Sequence, residues 1–171
     1  GALKMNFVKY SAWLSFAIAG CIFLRGGLCQ ADENWPAFRG IAATGVVQTG
    51  NPPQTWSATD HVEWKVDIQG RGWSSPVVWG KQVFLTNVVN LGETEEPKKG
   101  LYFGGNRPEP PPSEHQWQVP CFDLESGQTL WTKSLHTGVP RTSIHLKNSF
   151  ASETPVTDGQ RLYVLFGGVG L

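Results

Sequence analysis

His61, His115, His136 and His145 are the residues from which a metal centre would be built. None stands from another at a ligand spacing such as H-x-x-x-H, so no zinc site is expected. Ser74 and Ser75 lie in no G-x-S-x-G elbow, which removes support for a serine hydrolase. Cys121 sits between apolar neighbours and reads as a small buried hydrophobe on a strand, because a reactive thiol needs an electropositive neighbourhood. Arg71, Trp73, His145 and Lys147 fall in irregular segments between strand-like stretches, where they would reach a rim and touch a partner. These residues assemble no catalytic constellation, and neither a catalytic residue nor a metal ligand is assigned.

The elements that must position these side chains are strands. The 171 residues include 20 Gly, 12 Pro, 8 Trp and 9 Phe, and 40% are apolar, a composition that suits short strands joined by tight turns. The formal net charge is zero, so there is no basic footprint for nucleic acid. Alternation in Val62-Glu63-Trp64-Lys65-Val66-Asp67-Ile68 predicts a half-buried strand with Val62, Trp64, Val66 and Ile68 on one face. Ser74–Trp79 and Gln82–Val88 predict a hairpin around Gly80-Lys81. His115–Leu124 predicts another strand, and Pro120, which lacks a donor, suggests that this strand lies at an edge. Thr129–Leu135 predicts the next, after the turn Glu125-Ser126-Gly127-Gln128. Outside residues 1–31 no stretch keeps a helical period.

Residues 1–31 read as upstream residues and an export signal. Met5 is followed by Lys9, an apolar run from Tyr10 to Leu24 and a small-residue exit at Cys29-Gln30-Ala31, with cleavage expected after Ala31. The run is shorter than the roughly 20 residues of a spanning helix. Ile18-Ala19-Gly20-Cys21 resembles a lipobox, so lipidation at Cys21 is the competing reading and the one route to a membrane. Removal of Lys4, Lys9 and Arg25 would leave a mildly acidic chain with a single cysteine and hence no internal disulfide. Residues 32–61 read as an extended lead-in whose Trp35 and Phe38 need a surface. Residues 90–113, with charged residues and five Pro, read as a surface insertion into the strands of 62–171.

Those strands repeat. Ser75-Pro76-Val77-Val78-Trp79-Gly80-Lys81-Gln82-Val83-Phe84 is echoed by Thr154-Pro155-Val156-Thr157-Asp158-Gly159-Gln160-Arg161-Leu162-Tyr163, so that Pro76 aligns with Pro155 and Gly80 with Gly159. A second echo pairs Glu63-Trp64-Lys65 with Leu130-Trp131-Thr132. One unit is a four-stranded antiparallel sheet of the kind that forms a propeller blade, and a blade needs neighbours on both faces. The residues after 31 supply fewer than two such units, and Phe166–Leu171 follows directly on an apolar strand. The expected fold is therefore all-β, an incomplete fragment of a β-propeller.

Asp123-Leu124-Glu125-Ser126-Gly127-Gln128-Thr129-Leu130-Trp131 carries D-x-x-[ST]-G-x-x-x-W. This spacing resembles the tryptophan-docking repeat of the pyrroloquinoline-quinone-repeat propellers, a family that includes quinoprotein dehydrogenases and the propeller component of the outer-membrane β-barrel assembly machinery. Asn34–Gly40, Gly70–Gly80 and His145–Gly159 look like a bacterial subgroup of exported members. Asp123 would accept N–H bonds across the turn, Gly127 would supply a positive φ, and Trp131 would be a plate for docking the next unit. Cys121 stands where the repeat commonly has Ala. The resemblance implies an exported protein of the periplasm or cell envelope, acting as a binding or scaffold module that meets protein or polysaccharide through its loops. The alternative it implies is a periplasmic quinoprotein dehydrogenase using pyrroloquinoline quinone and calcium, though no cofactor-binding residues are identifiable.

Overall fold

The computed structural model describes residues 34–47, 50–92, 109–145 and 147–170. The export signal, Cys21 and the centre of the insertion, 93–108, lie outside the described residues. The rest forms a small domain built largely of β-strands, with one 3₁₀ turn at Ile41–Ala43.

β-branched Val77 and Val78 open β1 (Val77–Trp79), and Gly80 reverses the chain at φ +56° into β2 (Gln82–Phe84). Val77 faces Phe84 and Trp79 faces Gln82, which is the expected hairpin. β2 and β3 (Asn87–Asn90) both pair antiparallel with β4 (His115–Asp123), and β4 pairs on its other side with β5 (Thr129–Gly138). Because β2 and β3 lie end to end along β4, the five strands make four rows.

Two expectations change here, both through Pro120. The stretch Gln82–Val88 is divided into two strands, yet its register is unbroken: Phe84 faces Cys121, and three residues along each chain Asn87 faces Gln118. Pro120 lies in the gap, accepting a bond from Leu85 N at 3.3 Å but having no N–H to return. The Pro therefore interrupts the ladder on this side while the register between the two chains is kept. The expectation that β4 is an edge is overturned, because it is paired on both sides. β5 is the outer row, with most of its residues exposed.

The expected strand Val62–Ile68 is absent as a strand. The segment has no ladder partner among the described residues, and Val62 and Ile68 are exposed. Alternation marks a chain fit to be a strand, but the hydrogen bonds need a neighbour.

A second hairpin, β6 (Val156–Thr157) and β7 (Leu162–Tyr163), follows the sheet. Val156 faces Tyr163 and Thr157 faces Leu162, matching residue for residue the pairs Val77–Phe84 and Val78–Val83 of the first hairpin. The internal echo is thus a repeat of register as well as of residue type.

The alternating pattern of β4 divides the sheet into two faces. Val77, Phe84, Val88, Trp117 and Cys121 point to one face, where Leu162 of the second hairpin and Phe150, Ala151, Val164 and Phe166 on either side of it close the core. Polar ties fasten this join: Ser75 N donates to Thr154 Oγ1 at 3.0 Å, and Thr86 Oγ1 donates to Glu153 O at 3.1 Å. The lead-in finds its expected surface through Trp35, which exchanges backbone bonds with Val78 on the outer side of β1, while Phe38 remains 58% exposed.

Candidate functional site

The turn between β4 and β5 is built by one carboxylate. Asp123 Oδ1 accepts from the Ser126 hydroxyl at 2.7 Å, Ser126 N at 2.8 Å and Glu125 N at 3.2 Å. These bonds, the Ser126 hydroxyl first, hold the Asp123 carboxyl below the usual carboxylate range. Gly127 follows at φ +70°, and the ring of Trp64 lies so close that a Cβ there would stand 2.5 Å from it. Trp64 Nε1 also donates to Leu124 O at 2.9 Å. Trp64 is the residue that docks on Gly127, and it does so from the extended segment.

A carboxylate and a tryptophan-covered glycine also build the turn of the second hairpin, between β6 and β7. Asp158 Oδ1 accepts from Arg161 N at 2.7 Å and Gln160 N at 2.9 Å, and Oδ2 accepts from Tyr163 OH at 3.0 Å. Gly159 takes φ +86°, and a Cβ there would stand 2.3 Å from the Trp79 ring. Gly80, its counterpart in the first repeat, has no neighbour within 4 Å of such a Cβ, and its N–H donates to Asn34 Oδ1 at 2.7 Å. Pro76 is exposed before β1, whereas Pro155 is buried before β6. Trp131 points to the packed face beside Phe84, with ring centroids 5.9 Å apart and Lys133 Nζ 5.4 Å from its own centroid.

The four residues expected at a rim are distributed differently. Arg71 exchanges backbone bonds with Val88, extending the first row of the sheet, and Trp73 is 60% exposed while its N–H donates to Ala151 O. His145 and Lys147 share one turn, in which His145 Nδ1 accepts from Lys147 N at 3.2 Å. Two clefts flank the sheet, and none of these four lines either.

One cleft, of about 390 Å³, runs between the packed face and the second hairpin, with Trp79, Trp131, Lys133, Arg161 and Leu162 among its walls. The other, of about 490 Å³, lies on the opposite face, under Asp67, Ile68 and Gln69 of the extended segment. Its floor is Asn87, Gln116, Gln118, Thr132 and Ser134, with Pro120 and Phe122 at one end. Asn87 Nδ2 donates to Gln69 O at 2.7 Å and to Gln118 Oε1 at 3.3 Å, and Gln118 Nε2 donates to Gln116 Oε1. This chain of amides escaped the sequence reading because its members come from β3, β4 and a segment some twenty residues earlier. The alternation of Gln116 and Gln118 against Trp117 and Val119 was the available signal.

His115 and His136, far apart in sequence, both stand against Trp117, at ring separations of 6.0 and 5.2 Å. His115 Nδ1 is bonded to Ser113 O at 2.9 Å. Among the described residues no three His, Cys, Asp or Glu side chains come together to hold a metal ion. Cys121 is fully buried, and burial pushes its thiol up to about 11. No family model matches the chain, and no curated protein matches its sequence.

Proposed function

We propose that this chain is part of an exported β-propeller of the pyrroloquinoline-quinone-repeat type and acts as a binding or scaffold module. The observation that carries the reading is the repeated hairpin. Val77–Phe84 and Val156–Tyr163 occupy the same register, and two of the glycine turns, at Gly127 and Gly159, are covered by tryptophans from earlier segments, Trp64 and Trp79. A repeated sheet whose units are joined by large aromatic plates is how a propeller buries the faces of its blades. The four rows of the sheet agree with a blade. Export rests on the reading of residues 1–31.

A scaffold role agrees with the way the sequence motifs are used. Asp123, Gly127, Trp64, Gly159 and Trp79 are engaged with one another in turns and packing. Protein or polysaccharide is the partner class. The test is titration of the intact protein with pyrroloquinoline quinone and calcium, followed by quinone absorbance after gel filtration. No co-eluting quinone is expected, and stoichiometric quinone would replace this reading with the dehydrogenase. Intact mass of the exported protein tests the localisation: a start at Asp32 is expected, and a lipid-modified Cys21 would place the protein on a membrane.

A further inference from the structure

Equivalent groups of the two repeats converge on one short segment of the lead-in. Val78, paired with Val83, and Thr157, paired with Leu162, hold the same position in the two hairpins. Val78 N donates to Trp35 O and Thr157 N donates to Pro36 O, both at 2.9 Å, and Trp35 N returns a bond to Val78 O at 2.8 Å. These bonds use the edges of β1 and β6 that face away from β2 and β7.

The lead-in therefore lies where the first strands of the two units come closest. Ser75 N and Thr154 Oγ1 join the starts of the same two strands at 3.0 Å. At the far side of the sheet, by Lys133 and Leu135 of β5, the units part around the cleft of about 390 Å³. Units that meet at their first strands and separate toward their last are arranged like blades about a central channel, with the first strands innermost. A segment bonded to the free edges of those first strands lies on the channel side.

The segment suits enclosure. Between Asn34 and Val47 the one charged residue is Arg39, so walls around it would desolvate little charge. Its turn has a fixed shape, since Gly45 N donates to Arg39 O at 2.8 Å while Arg39, Ala42 and Ala43 hold left-handed φ of 63°, 54° and 54°. Residues with side chains keep that conformation where their surroundings enforce it. Phe38, Ile41, Val46 and Val47 project from this turn and are exposed, because two units wall only part of a ring. The walls that complete it are the first strands of further units, continuous with the edges of β1 and β6 already in contact.

We infer that residues 34–47 form a plug in the axial channel, closing it at this end to small ligands and leaving the outer loops as the surface for partners. The inference rests on the propeller reading and deepens it.

The experiment is thiol labelling of the intact exported protein with a polyethylene-glycol maleimide, in Ala42→Cys and, as the open reference, in Lys81→Cys on the β1–β2 turn. Cys121 is buried and adds only a slow background. While folded, Ala42→Cys is expected to react about tenfold more slowly than Lys81→Cys, since labelling must await an opening of the plug, and in urea the two should react alike. Photocrosslinking from Phe38→benzoylphenylalanine identifies the walls, with cross-links expected to the first strands of the further units. Labelling of folded Ala42→Cys as fast as that of Lys81→Cys, or cross-links confined to β1 and β6, would overturn the plug. Small-angle scattering of the same protein separates the two readings. A shape other than a disc removes the propeller and the plug with it, whereas a disc with a fast-reacting Ala42→Cys removes the plug alone.

Discussion

The two faces of the central sheet are made from the same strands and end in opposite states. On one, Val77, Phe84, Val88, Trp117 and Cys121 are packed dry against the second repeat. On the other, Asn87, Gln116 and Gln118 bond to one another beside an open cleft. β4 contributes to both by simple alternation, so one strand presents a packed wall and a hydrogen-bonded polar row at once. The difference teaches how the two faces divide their work: the packed face holds the repeats together, and the polar face ties β3 and β4 to the extended segment through Asn87.

The largest expected effect comes from breaking the dry face. Trp117 is 2% exposed and its Nε1 donates to Phe150 O at 3.1 Å. Trp117→Ala is expected to cost about 3–5 kcal/mol in urea denaturation, since it opens a cavity and strands a carbonyl. Gln116→Leu, its neighbour on the other face, should change stability by under about 1 kcal/mol. Equal losses for the two would erase the contrast.

The glycine turns sharpen the comparison next. Gly127→Ala and Gly159→Ala must displace the Trp64 and Trp79 rings as well as strain a positive φ, so each should lose about 2–4 kcal/mol of stability. Gly80→Ala meets open space and should lose only about 1 kcal/mol, from its φ alone. Thermal melts of the three variants side by side read the difference. A Gly80 variant as damaged as the other two would show that the rings contribute nothing.

Cys121 reports on the dryness of the packed face. Its thiol titrates near 11, above the ordinary 9.0, because burial disfavours the thiolate. A raised value means that the native state keeps its proton while the unfolded state loses it. The contribution is therefore complete below pH 9.0 and is lost as the pH rises toward about 11. Cys121→Ala should flatten stability over that window, and iodoacetamide should label native wild type far more slowly than unfolded chain.

The smallest effect belongs to the exposed turns. The Asp123 carboxyl is held below its ordinary 3.8 by bonds from Ser126 and Glu125, and that of Asp158 by bonds from Arg161, Gln160 and Tyr163. A lowered value contributes stability above pH 3.8 that disappears as the pH falls through the depressed range. Asp123→Asn should reduce the acid sensitivity of the β4–β5 turn slightly, detectable in amide exchange of Ser126 and Gly127. An unchanged exchange profile would mean the carboxylate adds nothing that the amide does not.

Local chemistry decided much of this architecture before any tertiary contact. Gly80-Lys81 between two apolar stretches predicts the first hairpin, Asp123-x-x-Ser126-Gly127 predicts the turn before β5, and the echo of Pro76–Phe84 in Pro155–Tyr163 predicts a second hairpin in the same register, all of which are present. These readings succeed because turn chemistry and side-chain alternation act within a few residues. Where a neighbour must be supplied from afar, the sequence is silent. Val62–Ile68 alternates like a strand but joins no ladder among the described residues, and Pro120 resembles an edge residue yet sits mid-sheet, in a gap between two strands that only the assembled ladder creates. The amide row was equally illegible, since Asn87 meets Gln118 across thirty-one residues and Gln69 across eighteen. The sequence by itself determined the turns, the alternation and the repeat; the tertiary structure decided which strand is central, which tryptophan covers which glycine and which polar side chains face one cleft, because those outcomes depend on distances between segments that no local pattern records.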